Sequence, residues 1–199
     1  MLGLHYETPA VWAQQVLADP AALLLDHYFC ELKAAAMAHR TLRVHGPKVP
    51  ALKKLMTDLA NEEMEHARQV EREIRARYPW PAAPKGGSAY VQGLRKAAAQ
   101  EGNGNFLDML LVCSLIEARS AERFRLLADE LKGQALSGFY EDLYASEVNH
   151  YVLFVDLAVG QYGEARATAR LEELRAAEGR LVAGLPPMAR MHYGCAAVK

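Results

Sequence analysis

Glu31 and Glu117 each sit inside a long helical pattern, and each is followed some thirty residues later by Glu-x-x-His. The first runs Glu63-Met64-Glu65-His66 and the second Glu147-Val148-Asn149-His150. The intervals are near copies: 32 residues from Glu31 to Glu63, and 30 from Glu117 to Glu147. Three residues advance an α-helix by about 300°, so the Glu and His of each motif share a face one turn apart. Four carboxylates and two imidazoles make the ligand set of a di-iron or di-manganese centre inside a four-helix bundle. Carboxylates can bridge two hard cations while a neutral imidazole caps each one.

A single Glu-x-x-His means little, since both residues are common on solvated helix faces. The duplication carries the argument, together with its flanks. Phe29, Cys30, Leu32 and Ala34 surround Glu31, and Val112, Leu115, Ile116 and Ala118 surround Glu117. Carboxylates are rarely buried unless paired or bound to metal. Tyr28, Phe29, Phe124, Tyr151 and Phe154 lie near the ligands in sequence and are candidates for lining a pocket, or for simple core packing. His27, Arg119 and Glu122 are candidates for supporting the ligands through hydrogen bonds, or for ordinary helix-face positions.

Helix pairs must position these residues. Thr8-Pro9 predicts a short helix to about residue 18 with Thr8 as its N-cap, and Asp19-Pro20 opens a long helix to about Val44. Gly46-Pro47 breaks it, and a second long helix covers about 50–77. Tyr78-Pro79-Trp80-Pro81 and Pro84-Lys85-Gly86-Gly87 interrupt the chain before a short helix over about 90–100, which Gly102-Asn103-Gly104 ends. Long helices follow over about 105–131 and 134–159. Gly160 and Gly163 then punctuate before an accessory helix over 164–182 and an irregular tail, 184–199. Tightly joined pairs separated by about 25 residues match an all-α, ferritin-like four-helix bundle, with the long crossover between its second and third helices. One domain is expected over 1–199, its core bundle spanning about 20–160.

Apolar residues at 51% and charged residues at 24% describe a globular chain with a sizeable core. No apolar run is long enough to span a membrane, and no secretory leader pattern opens the chain. Cys30, Cys113 and Cys195 are odd in number and form no C-x-x-C, which points to the reducing cytoplasm. Cys30 and Cys113 read as core filling.

Four segments carry a family resemblance. Cys30-Glu31-Leu32-Lys33-Ala34-Ala35, Glu62-Glu63-Met64-Glu65-His66, the stretch Ile116-Glu117-Ala118-Arg119-Ser120-Ala121-Glu122-Arg123-Phe124, and Ser146-Glu147-Val148-Asn149-His150 resemble the MiaE family. These are bacterial tRNA hydroxylases acting on 2-methylthio-N6-isopentenyladenosine beside the anticodon. The resemblance covers roughly 20–190, with Leu32 a departure where a basic residue is expected. It implies a non-haem di-iron monooxygenase that hydroxylates the isopentenyl side chain with O₂ and two external electrons. Glu31, Glu63, His66, Glu117, Glu147 and His150 would hold the two iron ions, Glu63 and Glu147 bridging. The electron donor would be a separate ferredoxin- or flavin-type reductase, and the enzyme is expected to be a monomer.

Charge distribution offers an RNA face. Residues 32–57 hold Lys33, Arg40, Arg43, Lys48, Lys53 and Lys54 with no acidic residue, and residues 74–100 hold Arg75, Arg77, Lys85, Arg95 and Lys96, again with none. Tyr78, Trp80 and Tyr90 are interleaved there and could stack on unpaired bases. Arg40, Arg43, Lys48, Lys53, Lys54, Arg95 and Lys96 are the expected RNA contacts, with Arg95 and Lys96 carried by the crossover towards the turn at Arg43 and Lys48. Two alternatives are a ferritin- or rubrerythrin-like oxidase or peroxidase not acting on RNA, and a bundle that keeps ligands without activity. A rubrerythrin-type Cys₄ site cannot be built from three scattered cysteines.

Overall fold

The computed structural model describes residues 2–82, 86–101 and 105–196. The described residues form seven α-helices, α1 (Val11–Val16), α2 (Pro20–His45), α3 (Leu52–Arg77), α4 (Ala89–Glu101), α5 (Phe106–Glu130), α6 (Ala135–Tyr162) and α7 (Glu164–Ala183). No strand occurs among them beyond one isolated parallel bridge, Pro187 to Gly194. The chain divides into two compact units, one of residues 19–85 and 189–191, the other of 1–18, 86–188 and 192–199.

The smaller unit is the α2–α3 hairpin. Asp19 caps α2 by accepting from the Ala22 N–H at 3.1 Å, with Pro20 at the first helical position. Arg43 and His45 in its last turn complement the helix dipole. The buried face of α2 runs through Leu24, His27, Glu31, Ala35 and Ala38, and that of α3 through Leu52, Met56, Leu59, Glu63, His66, Val70 and Ile74. Glu31, Glu63 and His66 therefore occupy core positions of amphipathic helices. The small Ala35 and Ala38 let the two backbones approach.

The larger unit is built on the α5–α6 hairpin, with α1, α4 and α7 packed beside it. Asn105 caps α5 by accepting from the Asp108 N–H at 2.9 Å. Buried residues occur all round α5, whereas α6 buries one stripe: Tyr140, Leu143, Glu147, His150, Phe154 and Ala158. Gly163 ends α6 at φ 82°, donating its N–H to the Val159 carbonyl at 2.8 Å and starting α7 at once. Only glycine takes that conformation without strain.

Two local expectations are corrected. Thr8 does not cap α1, which begins after Ala10; its N–H and hydroxyl instead donate to the Glu122 carboxylate at 2.8 and 2.6 Å. Gly160 does not punctuate, because α6 continues through it to Tyr162. A lone glycine costs a helix only about 1 kcal/mol, which flanking turns can absorb. The tail is irregular in secondary structure, yet it packs, with Met191, His192 and Tyr193 buried. Pro84, Lys85, the Gly102-Asn103-Gly104 stop and residues 197–199 lie outside the described residues.

Candidate metal centre

Each hairpin delivers two buried glutamates and one buried histidine. In the α2–α3 unit, His66 Nδ1 lies 3.6 Å from Glu63 Oε2 and 3.9 Å from Glu31 Oε2. One ligand atom from each of Glu31, Glu63 and His66 lies within 4.8 Å of the others. In the α5–α6 unit, His150 Nδ1 lies 3.7 Å from Glu147 Oε2, matching the His66–Glu63 distance, and Glu117 is buried on α5. The equal distances follow from the shared i, i+3 spacing on a buried stripe. Carboxylates packed together away from water are costly unless something compensates them, and a divalent cation does so. Hard oxygen donors with imidazole nitrogen fit iron or manganese, and the donor set fits the expected ions.

His27 completes the α2 side. Its Nε2 lies 2.6 Å from Glu31 Oε1, one turn away, with both side chains buried. Burial pushes the His27 pKa down to about 3, His66 adding to this and Glu63 opposing it. The imidazole is therefore neutral near pH 7, and its approach to Glu31 is not an ion pair.

The aromatic candidates separate. Phe124 and Phe154 are core, Phe124 packing on Tyr140 at 5.7 Å between ring centroids. The Tyr151 hydroxyl accepts from Arg175 of α7 at 2.7 Å, so this ring is directed towards α7. Tyr28 and Phe29 are half-buried on α2, edge to face at 5.5 Å, with Tyr28 also against Trp80 at 5.6 Å. Cys113 is buried, and burial pushes its thiol pKa up, Glu117 adding to this, as suits a space-filling side chain.

Arg119 and Glu122 tie helices together. The Arg119 guanidinium is wholly buried and donates to Glu178 of α7 through Nε and Nη2, both at 2.8 Å. It also donates to Thr8 Oγ1 at 3.0 Å, to the Tyr6 carbonyl at 2.9 Å and to Glu122. Burial alone would lower its pKa, but the hydrogen bonds and charge of Glu178 raise it. Beside it Arg123 is held below the usual arginine range, to about 10, by burial and by Arg119, its guanidinium lying 4.6 Å over the Trp12 ring. Glu178 was not anticipated. Its signal lies in α7, whose buried stripe Ala167, Leu171, Leu174, Glu178 and Val182 places one acid in an apolar row.

The basic residues also divide. Lys33 is exposed midway along α2, and Arg40, Arg43, Lys48 and Lys53 are exposed around the α2–α3 turn; none has an ion-pair partner among the described residues. Lys54 is exposed but paired with Asp58. Arg75 and Arg77 are neutralised by Glu71 and Glu73 one turn earlier, at 2.7 and 2.9 Å, so the acid-free stretch from 74 is not a free basic surface. Arg95 and Lys96 are exposed on α4. Tyr90 is corrected: it is buried, stacks on His192 at 4.9 Å and donates to Glu178 at 3.0 Å, and it offers nothing to a base. Among the described residues no helix is long and apolar enough to cross a membrane.

Comparison with known proteins follows the same outline. A hydroxylase from Pseudomonas putida, named tRNA 2-(methylsulfanyl)-N(6)-isopentenyladenosine(37) hydroxylase, is 37% identical over 94% of this chain and 90% of its own. A protein of the same name from Salmonella typhimurium is 30% identical over 96% of this chain and 87% of its own. A solved structure, protein 43 with aldehyde deformylating oxygenase activity from Synechococcus, superposes with a TM-score of 0.86. It is 34% identical and each chain is covered to 96%, which bears out the all-α, ferritin-like class. The family described as tRNA-(MS[2]IO[6]A)-hydroxylase (MiaE) matches residues 2–193, and the chain belongs to it.

Proposed function

We propose that this protein hydroxylates the isopentenyl side chain of 2-methylthio-N6-isopentenyladenosine next to the tRNA anticodon. The six ligands Glu31, Glu63, His66, Glu117, Glu147 and His150 would form one dinuclear iron centre within a single ferritin-like domain. The observation that carries this reading is the repeated half-site: buried Glu, Glu and His in each hairpin, with Glu–His distances of 3.6 and 3.7 Å, in a chain belonging to the MiaE family.

Two iron ions held there would supply O₂ activation and transfer of one oxygen atom to a C–H bond. The balance needs two electrons and two protons, and the second oxygen atom leaves as water. A separate ferredoxin- or flavin-type reductase provides the electrons. The chain's own residues do the rest. Glu31 and Glu63 bring carboxylate oxygens to a buried place, where a bound cation offsets the cost of their burial. His66 and His150 bring neutral nitrogen donors, and His27 sits against Glu31 to hold its carboxylate in one orientation. The apolar flanks keep water from the reacting chain. A cytoplasmic monomer acting on tRNA suits three cysteines that are all free thiols.

A second reading is favoured by one observation. The Synechococcus relative, 34% identical, is named for aldehyde deformylating oxygenase activity, and on the second reading this scaffold acts on a free aldehyde. The test is to incubate iron-loaded protein with O₂ and a reductant, offering isopentenylated tRNA or an alkyl aldehyde. Gain of one oxygen on the digested nucleoside, lost in Glu63→Gln, supports the tRNA reading. Shortened hydrocarbon with unchanged nucleoside replaces it with the second.

A further inference from the structure

Trp80 is the only tryptophan that solvent can reach: it is 46% exposed, while Trp12, the other of the two, is fully buried. Its position is held from two sides. Arg75 lies 5.0 Å from the indole centroid and is itself tied to Glu71 by Nε at 2.8 Å. Tyr28 meets the indole edge to face at 5.6 Å and 86°. Tyr28 stands three residues before Glu31 on α2, on the same helical side, so the indole sits about one turn beyond a carboxylate of the metal centre. From the hairpin geometry we infer that Trp80, backed by Arg75 and Tyr28, is the platform on which the modified purine stacks while its side chain enters the site.

The inference rests on the tRNA reading and deepens it. An indole contacted by Arg75 on one side and Tyr28 on the other, yet 46% exposed, offers a flat amphipathic surface suited to a planar aromatic substrate. Purines present a π face whatever their sequence context, and unpaired bases in RNA loops are recognised by stacking of this kind. Charge supports a base here and phosphate elsewhere. The arginines at this end of the hairpin are neutralised by Glu71 and Glu73. The unpaired cations Arg40, Arg43, Lys48 and Lys53 cluster at the opposite end, where a backbone would be held. Along α2, Tyr28 and Arg43 are separated by about 22 Å of helix, a span an anticodon stem-loop can bridge.

The experiment uses the full chain and an anticodon stem-loop RNA carrying isopentenyladenosine. Binding is followed by tryptophan emission and in parallel by filter retention. Because Trp12 is buried, quenching reports Trp80, and it should vanish in Trp80→Phe, which keeps an aromatic ring against Tyr28. Trp80→Ala should raise KM for isopentenylated tRNA roughly 10-fold or more, with a much smaller change in kcat; Trp80→Phe should recover most of it. RNA retained on the filter without quenching would overturn the platform. So would equal quenching by a fully paired duplex, or an unchanged KM in Trp80→Ala. In those cases wild-type hydroxylation of tRNA leaves the proposed function standing; wild-type failure to modify tRNA removes both.

Discussion

His27 Nε2 approaches Glu31 Oε1 to 2.6 Å, one turn apart on α2 and away from solvent. A neutral imidazole here restricts the carboxylate without competing for its charge. Outer partners of metal ligands are worth roughly 10–100-fold in metal affinity. His27→Ala is expected to weaken ferrous iron binding by that order while leaving helix content unchanged by circular dichroism. Unaltered affinity would show that His27 is packing alone.

Glu178 and Arg119 form a buried ion pair, joining α7 to α5 and, through Arg119, to the N-terminal segment at Tyr6 and Thr8. Removing only the acid takes away the two Glu178 hydrogen bonds of the buried guanidinium and leaves it Glu122, Thr8 and Tyr6, at about 3 kcal/mol. Glu178→Ala should lower Tm by roughly 10 °C in a thermal melt. The double variant Glu178→Leu with Arg119→Met should recover part of the loss, since paired removal takes both fully buried charges away and leaves only the partly exposed Glu122 without its arginine.

Most of this architecture is legible in the sequence, because helix boundaries are written in short-range chemistry. Asp19-Pro20 and the glycine at 163 fix helix ends by local hydrogen bonding and allowed φ, and both act as read. The half-sites are legible because their spacing is duplicated. Other features depend on partners far along the chain. Thr8 looks like a cap but bonds Glu122 across 114 positions, and Tyr90 looks like a stacking surface for a base but bonds Glu178 across 88. The basic stretch from Arg75 dissolves for a nearer reason: Glu71 and Glu73 lie just outside the window that made it look acid-free.

Phosphate contacts should reveal themselves through salt. Arg43, Lys48 and Lys53 are exposed and unpaired among the described residues at the α2–α3 turn. Neutralising all three to Gln should weaken tRNA binding and reduce the salt slope by about one unit per residue, measured by filter binding from low to physiological salt. Lys54, already paired with Asp58, should contribute less. A slope identical to wild type would place the RNA elsewhere, with Arg95 and Lys96 the next pair to neutralise.

The proposed sharing of one dinuclear centre by both half-sites is open to an anaerobic ferrous iron titration of the full chain. Two iron ions should bind per chain, with Glu63→Gln and Glu147→Gln each disturbing the binding of both. Two independent sites, one surviving intact when the other hairpin's glutamate is replaced, would contradict it, as would a chain that binds no iron at all.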